Sequence, residues 1–128
     1  MMRSFLVNRM RTFIFTTALP PLNVAWTKFI LSRLGGWNDR RERLAEAALR
    51  VQAAVRGAGR ECPSSSHIVP FIVGESNQTI LKAEDMQRKG FYVLPVRPPT
   101  VPEGTSRLRI SLTAAVTEEE VDSLCREL

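Results

Sequence analysis

The chain is 128 residues long, 44% hydrophobic and 24% charged, with a formal net charge of +5. That length supports one domain able to remove roughly two-thirds of its unfolded surface from water, and the composition excludes a disordered or collagen-like chain. Two distant cysteines, Cys62 and Cys125, and a single histidine, His67, argue against a disulfide framework or a zinc site and rule out a His-pair mechanism within the chain.

The positive charge is uneven. Residues 1–38 hold Arg3, Arg9, Arg11, Lys28 and Arg33 without one acid, whereas acids and bases mix from Asp39 onward. No basic run alternates with aromatics, so nucleic acid is not an expected partner. The stretch from Phe13 to Leu34 is broken by Pro20, Pro21, Lys28 and Arg33 and falls short of the ~18 apolar residues a membrane span needs. No membrane partner is expected, and the cysteine usage fits a reducing, cytoplasmic setting.

In chain order, Arg11–Thr16 is β-branched and aromatic and predicts a short strand. Pro20-Pro21 then opens a helix with Leu22, Trp26, Phe29, Ile30 and Leu34 at helical spacing, stopped by Gly35-Gly36. Asp39, with Glu42 three residues on, predicts the N-cap of a second long helix carrying Leu44, Ala48, Val51 and Val55 and ending near Gly57. Ile68–Val73 reads as a strand whose Pro70 places it at a sheet edge or a bulge. Ser76 predicts a cap for a helix to Lys89, with Gly90 as its terminator.

Phe91–Val96 reads as another strand, and the three prolines of residues 98–104 predict a stiff, extended loop. Arg107–Thr113 alternates, with Leu108, Ile110 and Leu112 facing a core and Arg107, Arg109, Ser111 and Thr113 on the other face. Thr117 and Glu120 form a capping box for a last helix. The expectation is α+β: a small, three-stranded, mostly antiparallel sheet with helices on one face, preceded by a strand and two long helices. The first helix is apolar on more than one side, so residues 1–36 are expected to need a surface that this chain does not supply.

Four segments stand out as able to carry chemistry, 15–21, 67–74, 90–97 and 98–113, and the first and last hold named candidates. Arg107 and Arg109 share a strand face, and a guanidinium binds a carboxylate through two parallel donors. Pairing with surface acids such as Glu118 or Glu119, or plain solvation, is the alternative. Thr16 and Thr17 precede a helix start, where hydroxyls and free N–H groups suit either a phosphate or simple capping of the helix.

The segments FIFTTALPP (13–21), HIVPFIVG (67–74), GFYVLPVRPPTVPEGTSRLRISLTA (90–114) and TEEEVDSLCREL (117–128) closely resemble the C-terminal part of the α-oxoamine synthases. These are pyridoxal 5'-phosphate enzymes of the fold-type I aminotransferase superfamily. Pro98-Pro99-Thr100-Val101-Pro102, Gly104-Thr105 and Arg107-Leu108-Arg109 carry most of the likeness, which looks most like the biotin-pathway branch. That branch condenses L-alanine with a pimeloyl thioester and loses CO2, with the cofactor as electron sink.

The resemblance implies that Arg109 holds the amino-acid carboxylate and that Thr100 contacts substrate. It also implies that Thr16 or Thr17 reaches the cofactor phosphate of the neighbouring subunit in a homodimer. Residues 1–36 would be the tail of the large cofactor domain and 37–128 the small domain. The family's Schiff-base lysine lies upstream of the FIFTTALPP segment, and Lys28, Lys82 and Lys89 match no family position. No catalytic residue and no metal ligand is therefore expected in this chain, nor covalent cofactor capture by it alone. Its expected partner is the upstream half of a synthase. The competing reading is a non-catalytic remnant that docks on an intact synthase subunit.

Overall fold

The computed structural model describes residues 2–14 and 19–128. The chain forms two compact units, Met1–Trp37 and Asn38–Leu128.

In the first unit, α1 (Met2–Arg9) and the single turn α2 (Arg11–Ile14) precede α3 (Pro21–Arg33), which runs into a 3₁₀ turn at Leu34–Gly36. The strand expected at 11–16 is corrected over 11–14. Ile14 N–H donates to the Met10 carbonyl at 3.0 Å, continuing the helical pattern of Met10 N–H to the Leu6 carbonyl. β-branched residues favour a strand only against a neighbouring strand, and no strand occurs among the described residues of this unit. Phe15 and Thr16 lie outside the described residues. Proline begins α3 as anticipated, with Pro20 in the extended N-cap position. Neither α1 nor α3 has a buried residue, although α3 carries Leu22, Val24, Trp26, Phe29 and Leu31.

The second unit is built on α4 (Asn38–Gly57), β1 (Ile68–Gly74), α5 (Ser76–Arg88), β2 (Leu94–Val96), β3 (Ser106–Ser111) and α6 (Glu118–Glu127). Its sheet is antiparallel throughout, in the order β1-β3-β2. Val69, Phe71, Leu108 and Ile110 turn inward, against Val51 and Val55 of α4, Ala83 and Met86 of α5, and Val121 and Leu124 of α6. This is the α+β layer the alternation anticipates, with five of its buried residues spaced along one stripe of α4.

Pro70 sits in an edge strand, where its missing N–H costs no ladder bond, and the irregularity lies further on, between Ile72 and Gly74.

Several local expectations are corrected. α4 begins at Asn38, so Asp39 lies within the first turn rather than capping it, and its carboxylate reaches Arg43 at 3.8 Å. Glu75, not Ser76, occupies the N-cap of α5. Ser76 Oγ instead shares a 3.2 Å hydrogen bond with the buried Ser106 hydroxyl on β3. β2 starts at Leu94, not Phe91, because the end of α5 claims the preceding backbone. Phe91 N–H donates to the Met86 carbonyl and Gln87 Nε2 donates to the Val93 carbonyl. The 98–104 loop is folded into turns, closed by Thr100 N–H to the Arg97 carbonyl and Thr105 N–H to the Pro102 carbonyl. Prolines fix φ but leave ψ free, so they do not by themselves extend a loop.

The Thr117 capping box is present. Thr117 Oγ1 accepts from Glu120 N–H at 3.2 Å, and the Glu120 carboxylate accepts from Thr117 N–H at 2.8 Å. Thr117→Ala is expected to lower stability by about 1 kcal/mol, read from the urea midpoint. No change in midpoint would show that α6 is held by packing alone.

Candidate functional site

The face of the sheet turned away from the helices is set by register. Pro70, Arg109 and Leu94 lie side by side across the three strands, and Ile72, Arg107 and Val96 form the next row. Residues directly opposite one another share a face, so both arginines emerge among apolar neighbours. The loop entering β1 adds a wall. Ser64 Oγ donates to the Ile68 carbonyl at 2.7 Å, and the Ser66 hydroxyl accepts from Ile68 N–H at 3.2 Å.

The result is an open groove of about 320 Å³ lined by Pro63, Ser64, Ile68, Pro70, Val96 and the two arginines. No acid lines it. Arg107 is half-buried and anchored, its Nε–H donating to the Thr105 carbonyl at 2.9 Å. Arg109 is exposed, and neither arginine pairs with Glu118, Glu119 or any other acid among the described residues. A cationic, otherwise apolar groove suits an anion attached to a hydrocarbon chain.

Of the other predicted site residues, Thr100 is exposed on its turn and does not line the groove. Thr16 and Thr17 lie outside the described residues. Of the groove partners, Pro70 and Val96 lie in segments marked from sequence but were given no site role, and Ser64 lay outside them. The strand alternation could have found Pro70 and Val96, but the loop wall could not be read without the fold.

A larger cleft of about 890 Å³ runs between α4 and the 113–118 segment. Two of its arginines pair with acids outside its lining, Arg43 with Asp39 and Arg50 with Asp122. His67 is exposed and joins α4 residues around a shallow apolar pocket with no acid or thiol partner. Burial pushes the Cys125 thiol up, away from reactivity. Among the described residues no group of His, Cys, Asp and Glu could hold a metal, and no helix is long and apolar enough to cross a membrane.

The lysines of the second unit are engaged. Lys89 Nζ lies 2.6 Å from Glu127 and 3.0 Å from Asp85, and hydrogen bonds to these carboxylates raise its pKa above the ordinary 10.5. Lys82 Nζ donates to the Glu127 carbonyl at 3.0 Å. A lysine that forms an imine must lose its proton, and both carboxylates oppose that for Lys89. Lys28, on α3, stands beside Leu19, Val24 and Leu31 in a unit with no acid at all.

The whole chain, residues 1–128, matches the aminotransferase class I and II family, and it belongs to that family. Within it, the chain is 46% identical over 125 residues to an 8-amino-7-oxononanoate synthase of Haemophilus ducreyi, covering 97% of this chain and 32% of that protein. A Haemophilus influenzae protein provisionally given the same name is 48% identical over 120 residues, covering 94% of this chain and 32% of the relative. The chain thus spans about a third of the length of the curated relatives it matches. Among solved structures, the Sphingomonas wittichii serine palmitoyltransferase superposes with a TM-score of 0.88 at 27% identity, over 98% of this chain and 32% of that one. A serine palmitoyltransferase solved with pyridoxal phosphate as its internal aldimine gives 0.89 at 26% identity, over 98% of this chain and 32% of that one.

Proposed function

We propose that this chain is the substrate-facing, C-terminal portion of a pyridoxal-phosphate acyltransferase that condenses L-alanine with a pimeloyl thioester to 8-amino-7-oxononanoate, a step of biotin synthesis. The observation that carries the reading is Arg109, unpaired in an acid-free apolar groove, on a chain 46–48% identical to synthases of that name. Arg109 presents two parallel donors to the amino-acid carboxylate and fixes its orientation. The Pro70, Ile68 and Val96 wall excludes water from the substrate's hydrocarbon portion. Thr100, on the turn that follows β2, reaches substrate once the remainder of the enzyme closes the groove.

In this reading the cofactor's covalent anchor lies outside this chain, and none of Lys28, Lys82 and Lys89 takes that role. The two lysines of the second unit are tied to α6, and the first unit has no acid to pair with a pyridine nitrogen. The cofactor's covalent site therefore belongs to the remaining two-thirds of such an enzyme, and this chain by itself is inactive. Residues 1–36 act as the tail of the large domain, with the apolar surface of α3 covered by that portion. Thr16 or Thr17 faces the cofactor phosphate of a second subunit in a homodimer. The setting is cytoplasmic.

The test is a chimera in which residues 2–128 replace the matching third of the Haemophilus ducreyi relative. Condensation of L-alanine with a pimeloyl thioester is expected. A folded, cofactor-loaded chimera without turnover would instead favour a non-catalytic remnant that docks on an intact synthase, a reading that the exposed apolar residues of α3 also accommodate.

A further inference from the structure

The groove holds two arginines, and the carboxylate of an amino acid engages only one. Arg107 and Arg109 are two residues apart on β3, which separates their Cα atoms by about 6.8 Å on the same face. They are not equivalent. Arg109 is exposed and has no protein partner among the described residues, so it can turn to a mobile substrate. Arg107 is half-buried, and its Nε–H is committed to the Thr105 carbonyl, which fixes the guanidinium plane and leaves its terminal nitrogens available. It stands in the row of Val96 and Ile72, on an apolar floor that a hydrocarbon chain would cover. A cation held rigid at an apolar wall, with no acid lining the groove, is built for a carboxylate at the end of a chain.

We infer that Arg107 is a specificity-determining residue that binds the free terminal carboxylate of the acyl substrate, while Arg109 takes the carboxylate of the amino acid. This rests on the proposed condensation, whose acyl donor carries a carboxylate at the end remote from the thioester. The groove thereby selects a half-esterified dicarboxylic acid over a plain fatty acyl group. A fatty chain laid over Arg107 leaves its terminal guanidinium nitrogens desolvated and without a partner, and this penalty produces the discrimination.

The experiment follows side-chain Nε–H resonances of Arg107 and Arg109 in the isotopically labelled 128-residue chain. The probes are monomethyl pimelate, whose ester stands in for the thioester, its dimethyl ester, and L-alanine. Monomethyl pimelate is expected to shift Arg107 and to bind at least about five-fold more tightly than the dimethyl ester, while L-alanine shifts Arg109. Arg107→Gln should abolish that preference and leave the Arg109 response to alanine unchanged. Arg107→Lys, which keeps the charge and loses the planar fork, should restore it in part.

Equal binding of the two esters, a monoester response confined to Arg109, or a preference that survives Arg107→Gln would each overturn the assignment. An Arg109 that ignores alanine while Arg107 still selects the monoester would remove the amino-acid role of Arg109 and leave the Arg107 site standing.

Discussion

With Arg109→Ala in the chimera, binding of L-alanine is expected to weaken by about 2–4 kcal/mol, roughly 30- to 900-fold. The magnitude belongs to the closed enzyme. In the chain alone Arg109 is exposed, and water would reduce the same contact to a fraction of that value. Once the groove is covered, removing the guanidinium strands the substrate carboxylate in an apolar setting beside Pro70 and Leu94. Arg109→Lys keeps the charge but presents one compact ammonium in place of two parallel donors, so it should recover only part of the loss. The alanine dependence of the bound cofactor's absorbance reads the affinity directly. An affinity unchanged by Arg109→Ala would take the carboxylate role away from this residue.

The second large effect lies beneath the same strand. Leu108 is fully buried between the two arginines in sequence, on the opposite face of β3, and clusters with Val69, Phe71 and Met86. Leu108→Ala leaves a cavity where the sheet meets the helices and should cost about 2–5 kcal/mol. For a unit of this size each kcal/mol lowers Tm by about 4–8 °C, so the change is easily measured by thermal unfolding. Leu81→Ala on the exposed face of α5 is the control, expected within about 0.5 kcal/mol of the parent. A loss at Leu108 no greater than at Leu81 would mean that the sheet is not packed as described.

How far the sequence could be read follows from the range of the forces involved. The alternation of Arg107–Thr113 placed Leu108, Ile110 and Leu112 inside and both arginines outside, because side-chain period in a strand is a local property. The Thr117–Glu120 cap and the Gly90 terminator, with its φ of 92°, were legible for the same reason. Ser76 failed as a cap because a tertiary partner, Ser106, competes for its hydroxyl. Residues 91–93 failed as strand because the end of α5 takes their backbone groups. At 11–14, β-branched composition had no strand among the described residues of its own unit to act on.

The candidate site divides in the same way. Arg109 was legible from the strand pattern together with the family likeness, and its role there remains the proposal made above. The groove around it was not legible, because Ser64 and Pro63 arrive from a loop some forty residues earlier and no local pattern announces that approach. Arg107 was paired with Arg109 as a carboxylate candidate from the strand pattern, but its difference from Arg109, the anchoring to Thr105, became visible only in the fold.

The most direct measurement of whether this chain supplies the substrate side alone is made on the purified protein with pyridoxal phosphate, reduced with borohydride and mapped by mass spectrometry. No specific lysine should carry the cofactor, no stable imine absorbance should develop, and L-alanine with a pimeloyl thioester should remain unreacted. A stoichiometric, reducible adduct on Lys28, Lys82 or Lys89, accompanied by turnover, would contradict it.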